Sequence, residues 1–192
     1  AFEALGRAVD LGTTDPDVLD ADSDLESLRS DPRYAALRER ADRAAHPCRH
    51  DDRYRRFDFW LGEWDVTVGG RPAGTSRVEP LLDGCALLEN WSGARGLNGK
   101  SLNYLDPATG KWKQTWVNDN GGILEYVETD DAPAGASLRF LAHVPRSGGG
   151  ETLRRMTFTA IAPDSVRQLM EESADDGATW TTSFDGLYVR RK

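Results

Sequence analysis

Glu89, Gln114 and Gln168 stand in rows that are mostly apolar, and their chemistry depends on which way those rows face. Residues two apart on a strand share a face. Cys85, Leu87, Glu89 and Trp91 then form one row, Trp112, Gln114, Trp116 and Asn118 a second, and Val166, Gln168 and Met170 a third. With the tryptophan rows turned inward, Glu89, Gln114 and Gln168 project into a largely apolar interior. A buried carboxylate without a partner is costly or stays protonated. Glu89 therefore calls for a donor, and Gln114, Tyr104, Tyr126 and Arg155 are the candidates. An apolar cavity with a few convergent polar groups is the usual form of a small-molecule site. The expected ligand-binding set is Glu89, Trp91, Tyr104, Gln114, Trp116, Tyr126, Arg155 and Gln168, with Glu89 also the candidate general acid/base. The alternative is structural: a glutamate at a wet rim and glutamines that satisfy one another.

Other reactive side chains give weaker patterns. His46 and His50 flank Cys48 in HPCRH, followed by Asp51 and Asp52. These are metal-ligating types, but Pro47 and a linker setting give them no rigid frame, so no metal site is expected. His143 shares a row with Arg139 and Leu141, opposite Leu138 and Phe140, and reads as an outward surface histidine. No nucleophile elbow, phosphate loop or zincin helix occurs. Asp106 to Gly110 and Asp175 to Gly177 lack the ligand order of a calcium loop and read as turns. Cys48 and Cys85 are the two cysteines, far apart and outside any CxxC spacing, so neither a disulfide framework nor a structural zinc is expected. No cofactor signature is present.

The elements that must position these residues divide the 192-residue chain unevenly. All six tryptophans lie at or after Trp60, whereas residues 1–56 are rich in Asp and Arg. This composition shift gives a helical segment over 1–46, a linker over 47–56 and a domain over 57–192. In the first, apolar residues recur at helical spacing between Gly12, Asp15-Pro16 and Asp31-Pro32. From Phe57 on, short runs of Val, Leu, Thr and aromatics alternate with turn residues such as Gly69-Gly70, Asp83-Gly84 and Asn120-Gly121-Gly122. The expected strands are 57–68, 74–82, 85–92, 100–105, 111–118, 122–128, 137–144, 152–161, 165–173 and 179–190. Connections this short leave no room for crossover helices and make neighbours antiparallel. About ten up-and-down strands lose their edges most economically by closing into a barrel. The expected fold class is mainly β, a closed antiparallel up-and-down barrel of about ten strands behind a short helical segment. Gly62-Glu63-Trp64 in the first strand and Arg190-Arg191 in the last suggest a sealed end, with an arginine over the Trp64 ring.

Charge and hydropathy narrow the partners. A net charge of −8 repels phosphate backbones and anionic membrane surfaces. No run approaches the ~18 apolar residues of a spanning helix. Neither nucleic acid nor membrane is an expected partner, and the compartment is left open with a lean toward the cytoplasm. The chain opens at Ala1 inside a helical pattern and reads as a segment of a longer or processed product.

Several segments resemble a bacterial family of lipocalin-like (calycin) domains, largely of unknown function. They are FDFWLGEWDV, LLENWSG, GKSLNYLDPATGKWKQTWVNDNGG, VRQLMEES, DDGATW and FDGLYVRR, which together cover about 57–191. The resemblance implies a barrel and a cavity rather than a chemistry. Heme-binding nitrobindins are looser relatives by architecture and ligate iron through a histidine near the last strand. Here Phe184 to Lys192 contains no histidine, so the resemblance supplies no counterpart of that iron ligand and no cofactor is expected. Residues 1–44 resemble the closing helices of a tetratricopeptide-repeat array, which implies a protein partner for the arm. The first expectation for function is a barrel that holds an apolar or aromatic small molecule. The alternatives are a cyclase, isomerase or dehydratase that uses Glu89, and a protein-interaction module.

Overall fold

The computed structural model describes residues 1–12 and 14–192, and Thr13 of the helical segment lies outside the described residues. The chain forms two compact units, Ala1–Asp52 and Arg53–Lys192.

The first unit holds helices α1 (Phe2–Asp10), α2 (Pro16–Ala21), α3 (Pro32–Ala45) and α4 (Pro47–His50), with a 3-10 turn over Ser23–Leu28. The Asp-Pro pairs start helices as the sequence implies: the Asp15 and Asp31 carboxylates accept from Val18 N and Arg33 N, and proline takes the first helical position. Val9, Leu19, Tyr34, Leu37 and Ala41 form a small core, and Tyr34 donates to Leu19 O at 2.6 Å. Among the residues of HPCRH, both histidines meet one carboxylate, His46 Nδ1 at 2.9 Å and His50 Nε2 at 2.6 Å from the two oxygens of Asp42. Residues 47–56, expected as a linker, run through α4 and a 3-10 turn at Asp52–Arg55.

The second unit is a closed barrel of ten antiparallel strands in sequence order, with β1 paired to both β2 and β10. The strands are β1 (Gly62–Val68), β2 (Arg71–Leu81), β3 (Ala86–Gly93), β4 (Asn98–Asp106), β5 (Lys111–Asn118), β6 (Ile123–Glu128), β7 (Ser137–Pro145), β8 (Glu151–Ala162), β9 (Ser165–Ser173) and β10 (Thr181–Arg190). Closure leaves no free edge, which is why a sheet of short hairpins settles this way. The boundaries match the alternation and the turn residues closely, with one exception. Residues 57–61, expected as strand, precede β1, and Asp58–Trp60 form a 3-10 turn. The reason is packing: Phe57 and Trp60 are both fully buried and stack with ring centroids 5.0 Å apart, and residues three apart share a face only in a helical turn.

That turn and the start of β1 seal one end of the barrel. Phe57 and Trp60 pack against Phe158, Trp112 and Phe140. Trp64 is fully buried and donates from Nε1 to Trp60 O at 2.9 Å. The Arg190 guanidinium lies 4.3 Å from the centre of the Trp64 ring, and its Nη1 donates to Leu61 O at 2.9 Å. Gly62 has φ +130°, and a Cβ there would overlap Arg190, so the glycine of the G-x-W step is required by the arginine it touches. Glu128 ties the plug to the wall: it is paired with Arg56 and accepts from Trp112 N at 2.9 Å.

Neither Cys48 nor Cys85 is a free thiol; both are disulfide-bonded, which corrects the expectation of no disulfide. A bridge leaves no spacing signature of its own. Disulfides persist mainly in oxidising compartments, so the lean toward the cytoplasm loses its ground. Among the described residues no helix is long and apolar enough to cross a membrane.

Replacing Trp64 by alanine empties the sealed end and removes the Arg190 platform. The expected loss is ~3–5 kcal/mol of folding stability. Chemical denaturation measures it, and a midpoint near that of the wild type would show that Trp64 does not hold the floor.

Candidate functional site

Away from the sealed end the barrel is hollow. A cavity of about 300 Å³ is lined by polar Glu89, Gln114, Gln168 and Arg154 and by a larger apolar and aromatic surface that includes Trp91, Trp116, Tyr126 and Phe184. Strand alternation turns these side chains inward, and register makes them meet. Glu89 on β3 stands opposite Ser101 on β4, Ser101 opposite Trp116 on β5, and Gln114 opposite both Asn103 and Tyr126.

Glu89 is 4% exposed and held by two serines. Ser76 Oγ donates to Oε1 at 2.9 Å and Ser101 Oγ to Oε2 at 3.0 Å. Ser101 is its direct cross-strand neighbour, and Ser76 on β2 reaches it diagonally past Val78. The chain of hydrogen bonds continues behind Ser101. Asn103 Nδ2 donates to Ser101 Oγ at 3.0 Å, and Gln114 Nε2 donates to Asn103 Oδ1 at 2.7 Å. No cation faces Glu89 in this network. Burial therefore pushes its carboxyl up to about 7, and the two serine hydroxyls hold it back from going further. On the far wall Tyr188 donates to Gln168 Oε1 at 2.5 Å, and Gln168 Nε2 points to Met156 Sδ at 3.0 Å. Burial and the nearby Glu89 both raise the Tyr188 phenol well above its usual value.

Two lining groups lack a hydrogen bond of their own. Tyr126 is 2% exposed, and its hydroxyl has no hydrogen-bond partner among the described residues. Burial pushes it up to about 12, with Arg154 pulling it down and Glu172 raising it again. Arg154 Nε lies 3.1 Å from Glu172 Oε1, close enough for an ion pair but off the line a hydrogen bond needs.

The aromatic wall has its own construction. A Cβ at Gly74 would stand 2.7 Å from the Trp91 ring, and one at Gly99 or Gly186 would overlap the Trp116 or Phe184 ring. Three glycines thus let three rings lie along the wall instead of across the lumen. Trp91 meets Phe184 edge to face with centroids 6.4 Å apart.

Six of the eight residues expected at the site line this cavity: Glu89, Trp91, Gln114, Trp116, Tyr126 and Gln168. Tyr104 and Arg155 do not. Inward positions on β4 are the buried Ser101, Asn103 and Leu105, which puts Tyr104 on the outer face. On β8 the inward residues are Arg154 and Met156, so Arg155 faces out, where it pairs with Glu171 at 2.9 Å and lies 4.0 Å over the Trp180 ring. Neither supplies the donor for Glu89. Ser76 and Ser101 do so, and alternation alone marks both as inward-facing once Val78 and Leu105 are assigned to the core. His143 is outward as expected and pairs with Glu151 at 2.7 Å.

No protein-family model matches the chain, and no curated protein matches it significantly.

The elevated carboxyl sets a pH dependence with a definite sign. Between its ordinary value of 4.5 and about 7, Glu89 keeps its proton when folded and loses it when unfolded. Its contribution is therefore fully present below 4.5 and lost as pH rises through about 7. The expected fall across that window is ~3 kcal/mol as an upper figure. Denaturant midpoints at pH 5 and pH ~8.5 test it. Glu89→Gln, which imitates the protonated acid, should abolish most of the difference, and an unchanged pH dependence in the variant would assign it to other groups.

Proposed function

We propose that the barrel binds one small apolar or aromatic molecule in its lumen, with aromatic side chains contacting its body and Glu89 with Gln114 orienting a polar end. The observation that carries this reading is the hollow, mostly apolar cavity of about 300 Å³ with its few convergent polar groups. A domain that served only as a cap would gain stability by filling that space, since interiors otherwise pack to crystal-like density. Serine partners in place of a cation leave Glu89 able to exist in either protonation state near neutrality. It can therefore donate to a ligand acceptor or accept from a ligand donor.

The same property favours a second reading, a cyclase, isomerase or dehydratase in which Glu89 moves a proton to or from a substrate in the lumen. A catalytic acid/base works best with a pKa near the working pH, and burial brings Glu89 to about 7.

Native mass spectrometry of the purified protein, followed by denaturation and identification of what is released, tests binding directly. A stoichiometric small molecule is the expected result. A protein that carries nothing and whose Trp91 and Trp116 emission responds to no aromatic or aliphatic compound in a screen would end the ligand-binding reading. Glu89→Gln divides the two readings: weakened affinity with no chemistry in either protein supports a carrier, whereas conversion of a bound compound by the wild type alone supports the enzyme.

A further inference from the structure

The lumen presents two distinct features to a guest, a set of flat aromatic surfaces and a pair of donors, the Tyr126 hydroxyl, which has no hydrogen-bond partner among the described residues, and the Arg154 guanidinium, which is ion-paired at Nε. Trp91, Trp116 and Phe184 lie along the wall because Gly74, Gly99 and Gly186 carry no Cβ to push them off it. The space they leave is bounded by ring faces and edges, which suit another flat ring. Alongside these rings the Tyr126 hydroxyl is buried with no hydrogen-bond partner among the described residues, an arrangement that costs stability unless something arrives to pair with it. Arg154 lines the same cavity and acts electrostatically on Tyr126. A guanidinium only donates, and it matches a planar oxygen pair best. Glu172 holds the Arg154 side chain in place through the ion pair at Nε.

We propose that the cavity selects a planar aromatic molecule bearing an acceptor oxygen, such as an aromatic carboxylate, with its ring against Trp91, Trp116 and Phe184 and its oxygen on Tyr126 and Arg154. This rests on the ligand-binding reading and adds the class of ligand to it. The two features act separately. The glycine-backed rings recognise the flat body, and the tyrosine and arginine recognise the oxygen. Replacing a glycine therefore damages the first and leaves the second, and replacing Tyr126 does the reverse.

Three probes separate the features: 2-naphthoate, 2-methylnaphthalene, which lacks the acceptor, and octanoate, which lacks the ring. Calorimetric titration of the wild type should rank 2-naphthoate first, with 2-methylnaphthalene about tenfold weaker, a ratio that corresponds to ~1.4 kcal/mol. Tyr126→Phe should bring the two aromatic probes to within about twofold of each other. It should melt at or above the wild-type temperature, because the hydroxyl it removes has no hydrogen-bond partner among the described residues. Arg154→Met should reduce the preference in the same direction. Gly99→Ala should weaken both aromatic probes alike and leave their ratio intact. Equal wild-type affinity for 2-naphthoate and 2-methylnaphthalene, or for 2-naphthoate and octanoate, would overturn the proposal while ligand binding stood. An undiminished preference in Tyr126→Phe would also overturn it. Failure of all three probes to bind would overturn this proposal, and only the wider screen for emission changes would decide the ligand-binding reading itself.

Discussion

Sealing one end of the barrel with aromatic side chains is the constraint on which the rest of this structure depends. A closed sheet of ten strands encloses more space than its own side chains fill near the mouth, so the apolar burial that stabilises it has to be concentrated elsewhere. Here it is concentrated at the floor. Phe57, Trp60, Trp64, Trp112, Phe140 and Phe158 are all buried there, and Arg190 closes over Trp64 from the last strand. The contact joins β1 to the end of the chain, so the seam of the barrel and the plug of its floor are stabilised by the same residues. A desolvated cation–π contact adds up to ~2 kcal/mol to the burial of the ring itself.

With stability supplied at the floor, the other half of the barrel is free to be hollow and to carry groups that weaken the fold. Glu89 is one: a carboxyl buried with two serines and no cation in its network loses solvation that the two hydroxyls only partly replace. Tyr126 is another, with a buried hydroxyl that makes no hydrogen bond among the described residues. Gly74, Gly99 and Gly186 are a third kind of concession, since glycine within a strand weakens it and packs nothing. All three kinds of residue border one cavity. Local departures from what packing alone would choose are expected at functional sites and are offset elsewhere in the fold.

The polar network on the wall has a direction. Gln114 is fixed by Asn103, Asn103 by donation to Ser101, and Ser101 donates to Glu89. Gln114 reaches from β5 to β4, Asn103 meets Ser101 along β4, and Ser101 reaches across to β3, so the position of the carboxylate is set by the registers of β3, β4 and β5 together. Such a network is stiff when every member is satisfied. Glu89 is thus held in place while its charge remains free to change.

The amino-acid sequence alone determined the strands, their antiparallel neighbours and the closure. Alternation of apolar and polar residues fixes faces, short glycine-rich connections fix adjacency, and the lack of room for crossovers forbids a parallel sheet. It also determined that Glu89 and Gln114 share rows with tryptophans and Gln168 with Val166 and Met170, because parity within one strand is a local property, and the closed barrel decided that those rows face inward. It did not reveal that Phe57–Trp60 turn as a 3-10 helix, since an aromatic-rich run looks like strand until the barrel floor demands two rings on one face. Tyr104 and Arg155 are one residue out of phase with the inward rows of β4 and β8, and Ser76, Ser101 and Arg154 stand in the lumen in their place. Which side chain meets Glu89 depends on register between strands distant in sequence, and register is decided only when the whole sheet closes. The same holds for the rings beside Gly74, Gly99 and Gly186, and for the unpaired hydroxyl of Tyr126. A residue type can be read from one position, but a missing partner exists only once every neighbour is in place.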